Sequence, residues 1–129
     1  MSAPYLVIYD GLCNLCSGLV AWLQKLDHQQ LFTYLPMQDP QVHQLWGIPP
    51  GGCELGMILI DQRDPQRRWQ GSGAAEEIAR LLPGGQVLVD IYRAVPGLKA
   101  LGDHCYVQIR DHRYQWFGRR PEVYQVSER

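Results

Sequence analysis

Two cysteines, Cys13 and Cys16, are separated by two residues in the segment Tyr-Asp-Gly-Leu-Cys-Asn-Leu-Cys, and their thiols are the side chains best suited to chemistry in this sequence. The apolar run at residues 5–9 predicts a strand before them, and the helical spacing of apolar residues after them predicts a helix. The pair is therefore expected at a helix N-terminus, where unpaired main-chain N–H groups and the helix dipole favour a thiolate. Because the thiolate is the attacking species in thiol–disulfide exchange, this arrangement predicts redox chemistry.

The position of each thiol predicts its role. Cys16 belongs to an apolar helical stripe, so we expect its side chain to point inward. Cys13 precedes the stripe, and we expect it at the helix tip, accessible to a substrate, with a pKa lowered from ~8.5 towards neutrality. Cys13 is thus the predicted nucleophile that forms a mixed disulfide, and Cys16 is the predicted resolving thiol. The full stripe consists of Cys16, Leu19, Val20, Leu23 and Leu26.

Asp10, three residues before Cys13, is the third candidate catalytic residue. Its negative charge beside Cys13 would raise the pKa of that thiol. It could instead accept the proton of Cys16 as a general base during resolution. A third interpretation is structural, in which the Asp10 carboxylate caps the turn through hydrogen bonds to nearby main-chain N–H groups. The residues alone leave these alternatives open.

The spacing of apolar residues, together with residues typical of helix starts and ends, predicts the elements that position these side chains. Asp39 and Pro40 form a typical helix start, and Gly47 a typical helix end. The order strand–helix–strand–helix–strand–strand–helix, with further helix behind it, predicts an α/β sandwich with a small mixed sheet. The other predicted strands are residues 31–35, 57–60 and 67–70, and the other predicted helices are residues 14–27, 72–82, 86–95 and 98–116.

Composition bounds the function. The 129 residues suit one domain, and 46% hydrophobic with 19% charged residues is an ordinary globular balance. The net charge of −1 gives no electrostatic indication of nucleic acid or a membrane surface as a partner. The N-terminal residues lack the pattern of a signal peptide, and no segment approaches the ~20 apolar residues of a membrane span, so a cytoplasmic protein is expected. In that compartment a close cysteine pair is typical of redox or metal chemistry.

The Asp10-x-x-Cys13-x-x-Cys16 pattern, set in Tyr9-Asp10-Gly11, resembles the DCC family of thiol–disulfide oxidoreductases, which is named after those three residues. The segments Gln70-Gly-Ser-Gly-Ala-Ala75 and His112-Arg-Tyr-Gln-Trp-Phe-Gly-Arg119 also fit that family. The resemblance implies one thioredoxin-like domain over residues 1–129, with extra C-terminal helices. It also implies a site role for Asp10, a protein or glutathione-like thiol or disulfide as substrate, and no cofactor beyond the dithiol.

The competing function is a non-catalytic thioredoxin-like binding module that uses the cysteine pair as a redox sensor or a metal clip. A zinc site would need two ligands besides Cys13 and Cys16, and the sequence offers no second closely spaced pair. Cys53 is expected to be an ordinary loop cysteine and Cys105 a small buried core residue. The other potential ligands are His43, His104 and His112.

A locally basic region near the C-terminus could bind an anion such as a glutathione carboxylate or a phosphate. Interleaved acidic residues favour a solvated helix face for these cations, which are Lys99, Arg110, Arg113, Arg119 and Arg120. Several aromatic residues fall in helical stretches and are expected in the core. They are Trp22, Tyr92, Tyr106 and Trp116.

Overall fold

The computed structural model describes residues 4–27, 29–48, 57–64 and 66–124. Cys53 lies outside the described residues, so its expected loop position stays a prediction. Four strands and five helices occupy the described part of the chain. They are β1 (Tyr5–Tyr9), α1 (Asn14–Leu26), β2 (Phe32–Pro36), α2 (Pro40–Trp46), β3 (Ile58–Asp61), β4 (Arg68–Gln70), α3 (Ser72–Leu81), α4 (Gly85–Ala94) and α5 (Leu98–Phe117).

The strands form one mixed sheet in the order β2-β1-β3-β4. β1 pairs in parallel with β2 through the α1 crossover, so that Tyr5 lies opposite Phe32 and Tyr9 opposite Pro36. β3 runs antiparallel to β1 and forms a hairpin with β4. This sheet, covered by helices, confirms the predicted thioredoxin-like α/β fold.

Both faces of the sheet are buried, because successive residues of β1 point to opposite sides. Tyr5 and Val7 pack with residues of α1 and α3 on one face. Leu6 and Ile8 pack on the other face with Val42 of α2. A strand covered on both sides is apolar at every position, which explains the unbroken run at residues 5–9.

Local signals set the helix boundaries where the sequence predicted them. The Asp39 side chain accepts a hydrogen bond from the Gln41 N–H at 2.9 Å, Pro40 opens α2, and Gly47 ends it in the left-handed conformation. The predicted bounds of the other elements differ from the observed ones by at most one residue, within the variation expected of helix and strand ends.

Several predictions of burial are wrong, mainly on α5. Cys105 is exposed rather than buried, and so are Leu101 and Ile109, which lie four residues before and after it on the same helix face. Successive residues of a helix are rotated by 100°, and the face of α5 that points inward lies next to the face of Cys105. This inward face carries Gly102, Tyr106 and Arg113. There a Cβ on Gly102 would lie 2.0 Å from the Tyr92 hydroxyl. Apolar side chains occur on both faces, so the spacing alone could not identify the buried one. The expected core positions of Leu19, Trp22 and Trp116 are also wrong, because these side chains are exposed.

Candidate active site

Cys13 occupies the N-cap of α1 and is buried with Cys16 at the end of β1. Its main chain is extended, with φ −91° and ψ 124°, and its Sγ accepts a hydrogen bond from the Cys16 N–H at 3.4 Å. The Cys13 carbonyl accepts the first helical hydrogen bond, from Ser17 N–H at 2.9 Å. The thiol therefore lies where the unpaired N–H groups of the helix converge.

The two thiols have opposite electrostatic character. A hydrogen bond from the Cys16 side chain lowers the pKa of Cys13 to about 6, assisted by the N–H groups of Cys16 and Leu15 and by the charge of Arg113, against the effect of burial. The same thiol–thiol hydrogen bond raises the pKa of Cys16, and burial and the negative charges of Cys13 and Asp10 raise it further. These opposite shifts favour the thiolate form of Cys13 and the protonated form of Cys16 at neutral pH.

Asp10 is completely buried, and both oxygens of its carboxylate accept hydrogen bonds from several parts of the chain. Its Oδ1 accepts from Leu12 N–H at 3.0 Å and from Gln38 Nε2 at 2.9 Å. Its Oδ2 accepts from an Arg113 guanidinium N–H at 3.3 Å and from the Tyr114 hydroxyl. The bond to Leu12 is the predicted turn cap, and the other three join β1 to the β2–α2 turn and to α5.

Sequence reasoning missed three of these Asp10 partners. Arg113 was expected on a solvated helix face, which is wrong: its side chain is buried and ion-paired with Asp10. Tyr114 lies beside it, and Gln38 uses both ends of its amide, because its Oε1 also accepts from Gly11 N–H at 3.1 Å. The available signal was the His112–Arg119 segment, which fits the DCC pattern and contains the Arg-Tyr pair.

The prediction that Cys13 is accessible is wrong, because this residue is 0% exposed, whereas Cys16 is 8% exposed. The chain after α5 crosses the Cys13 loop, and Arg119 forms an isolated antiparallel bridge with Cys13. Asn14 N–H donates to the Gly118 carbonyl at 3.3 Å, and Arg120 N–H donates to the Leu12 carbonyl at 2.7 Å. The segment that follows α5 thus pairs with the main chain on either side of the buried Cys13.

A sequence profile of the DCC1-like thiol–disulfide oxidoreductases matches residues 7–119, which include the cysteine pair and the Arg-Tyr pair of α5. The chain belongs to the DCC1-like thiol–disulfide oxidoreductase family. Within curated proteins, the uncharacterized protein YuxK of Bacillus subtilis is 30% identical over 119 residues, covering 90% of this chain and 82% of that protein. No solved structure matches the chain significantly.

Two further properties of the described residues concern the requirements of a metal site and of a membrane-spanning helix. No three His, Cys, Asp or Glu side chains in these ranges come close enough together to hold a metal ion. His112 instead stacks on Trp116, with ring centroids 4.9 Å apart. None of the helices described is both long and apolar enough to cross a membrane.

Proposed function

We propose that this protein exchanges disulfides through Cys13 and Cys16, with Cys13 as the nucleophile. The observation that carries the proposal is the helix N-cap position of the Cys13 Sγ, where hydrogen bonds lower its pKa to about 6. A thiol with this pKa is mostly thiolate at neutral pH and remains nucleophilic. Cys16, whose pKa is raised, stays protonated until it attacks the mixed disulfide on Cys13.

The reaction proceeds in two exchange steps. The Cys13 thiolate attacks one sulfur of a substrate disulfide, forming a mixed disulfide and releasing the other substrate sulfur as a thiolate. Cys16 then loses its proton and attacks the Cys13 sulfur, which closes the Cys13–Cys16 disulfide and releases the second substrate thiolate. Two electrons pass from the dithiol to the substrate, and the reverse sequence oxidises a substrate dithiol.

We infer that Asp10 acts as the general base that accepts the proton of Cys16 during the second step. The negative charge of Asp10 contributes to the raised pKa of Cys16, so the two groups interact electrostatically. Because four donors fill the Asp10 carboxylate, proton transfer requires one of them to withdraw. Tyr114 is the donor best placed to do so, because its side chain is 38% exposed whereas Arg113 is buried.

The substrates proposed are thiols or disulfides of a protein or of a glutathione-like molecule. The dithiol itself carries the electrons, so the proposal requires no further cofactor. The cytoplasm is the proposed compartment, because its glutathione pool keeps a dithiol of this kind reduced and reactive.

Trapping of the mixed disulfide tests this proposal. Cys16→Ser should accumulate a mixed disulfide on Cys13 when the reduced protein is mixed with a disulfide substrate, because the resolving thiol is absent. Cys13→Ser should accumulate none, and Cys105→Ser, at an exposed thiol on α5, is the matched control that should turn over normally. Mass mapping that places the adduct on Cys16 or Cys105 in the unmodified protein would exclude Cys13 as nucleophile.

A further inference from the structure

Residues 118–124, which we name the strap, run antiparallel along residues 11–14 beside the Cys13 thiol. Tyr124 N–H donates to the Gly11 carbonyl at 2.8 Å, and Arg120 N–H donates to the Leu12 carbonyl at 2.7 Å. With the bond from Asn14 N–H to the Gly118 carbonyl, three main-chain hydrogen bonds join the strap to the loop, and two of them flank the bridge between Cys13 and Arg119. The loop is thus an edge that binds an extended main chain.

Side chains hold the strap at both ends. Asn14 Nδ2 donates to the Phe117 carbonyl at 2.9 Å where the strap begins, and the Tyr9 hydroxyl donates to the Tyr124 carbonyl at 2.7 Å near its other end. The Arg119 guanidinium lies 5.4 Å from the centre of the Tyr114 ring, and the Tyr114 hydroxyl donates to the catalytic carboxylate Asp10. The strap is therefore coupled to the site that it covers.

Two glycines permit this close approach. A Cβ on Gly11 would lie 2.6 Å from Val123 Cγ1 of the strap. Gly118 turns the chain out of α5 with φ 85° and ψ 174°, a conformation essentially confined to glycine, and a Cβ there would lie 2.9 Å from Asn14 Nδ2. Changes at Gly118 should therefore weaken the docked strap specifically.

We propose that the edge formed by residues 11–14 binds an extended polypeptide that carries the target disulfide, and that the strap occupies this edge until the polypeptide displaces it. The proposal rests on the proposed exchange function and names its substrate class. Main-chain pairing is independent of side-chain sequence, so another extended chain can replace the strap with equivalent hydrogen bonds. A small disulfide without successive main-chain N–H and C=O groups cannot replace those bonds.

Alkylation of Cys13 tests whether the strap controls access, whether or not the protein has oxidoreductase activity. Gly118→Ala should raise the rate of iodoacetamide labelling at Cys13 by about tenfold at constant pH, because the strained residue favours the undocked strap. Gly97→Ala is the matched control, since Gly97 also has a positive φ, 80°, but at the other end of α5 with no atom within 4 Å of an added Cβ. Equal rates in both variants would overturn the role of the strap.

Hydrogen exchange of the unmodified protein gives the same test without a substitution. The amides of Arg120 and Tyr124 should exchange through one common opening, while the amides of β1 stay protected. Relative to an unstructured chain, alkylation of Cys13 should be slowed by the same factor as exchange of these two amides. Labelling that is much faster than strap opening, or that requires unfolding of β1, would contradict the proposal.

Paired peptide substrates test the substrate class. A flexible peptide disulfide should react with Cys13 at least about tenfold faster than the same peptide N-methylated beside its cysteines, because methylation removes the donors for main-chain pairing. Hydroxyethyl disulfide, which carries no amide groups, should react as slowly as the methylated peptide. Equal rates for all three would overturn the polypeptide proposal while leaving exchange intact, and no reaction with any of them would reject exchange itself.

Discussion

Asp10 and Asp61 occupy similar places in the sheet but have different surroundings. Asp10 directly follows β1, Asp61 ends β3, and both residues are buried and ion-paired with arginine. The partners of Asp61 are Arg63 and Arg67, two and six residues away, with side chains 64% and 58% exposed. The partner of Asp10 is Arg113, 103 residues away and 8% exposed.

The range and burial of the arginine partners distinguish Asp61, which belongs to a hairpin turn, from Asp10, which belongs to the candidate site. Asp61 organises the β3–β4 hairpin, and hydrogen bonds from the Arg63 side chain hold its pKa below the usual 3.8. Water screens its exposed partners, so each pair contributes little. Asp10 collects donors from distant elements beside two thiols, in a place without such screening. A buried charge with long-range, buried partners is therefore the feature that distinguishes the candidate site from the hairpin in this fold.

The largest difference is expected when the arginines are removed. Arg113→Met should lower the free energy of unfolding by about 3 kcal/mol, because it leaves the buried Asp10 carboxylate without its counter-charge. Arg63→Met is the control, and its effect should be far smaller because Arg63 is exposed. Chemical denaturation of both variants measures this. Equal losses would show that the two aspartates are equivalent and would remove the main argument for a site at Asp10.

Replacement of the aspartates themselves should give the next largest difference. Asp10→Asn should slow release of a Cys13-linked mixed disulfide by about tenfold, if it removes the base that accepts the Cys16 proton. It also removes a negative charge near Cys13, so the pKa of that thiol should fall rather than rise.

Single-turnover kinetics of the mixed disulfide, with thiolate absorbance near 240 nm, measure both effects of the Asp10 substitution. Asp61→Asn should leave both unchanged. Slower release together with a lower Cys13 pKa identifies the general base, whereas unchanged release would leave Asp10 with a structural role.

The third comparison, with a smaller expected effect, is between the pH dependence of Cys13 and that of Asp61. With a pKa of about 6, Cys13 changes from mostly thiol at pH 5 to mostly thiolate at pH 8, so exchange and labelling rates should rise about tenfold over this interval. Asp61, whose pKa is lowered, remains ionised throughout. Because the native pKa of Cys13 lies below its unfolded value, the thiolate stabilises the fold most fully at high pH, and this stabilisation is lost as the pH falls through about 6. A rate midpoint above pH 8 would contradict the proposed thiolate.

The smallest expected effect concerns two tyrosine hydroxyls. Tyr114→Phe should cost about 1 kcal/mol of stability, because it removes one of the four donors to Asp10. Tyr5→Phe is the control, since the Tyr5 hydroxyl accepts a hydrogen bond at 3.1 Å from Arg63, which is exposed. A larger loss for Tyr5→Phe, measured by denaturation, would reverse the ranking of the two regions.

The sequence by itself determined the features that depend on neighbouring residues. The strand at Tyr5–Tyr9, the helix that starts after Cys13 and the Asp39–Gly47 helix follow from local period and capping. The lowered pKa of Cys13 is also local in origin, because the hydrogen bond from the Cys16 side chain lowers it most and the N–H groups of Cys16 and Leu15 at the helix N-terminus assist. The inclusion of all residues 1–129 in one domain stays a prediction.

The tertiary structure alone decided which groups surround those thiols. Arg113 and the strap reach Asp10 and Cys13 across about a hundred residues of chain, and no local pattern specifies contacts of that range. The basic segment around Arg113 is also compatible with a solvated face, and α5 carries apolar side chains on more than one side. Packing against the rest of the fold decided which face of α5 turned inward, and in that orientation Arg113 is buried against Asp10 and the strap pairs beside Cys13.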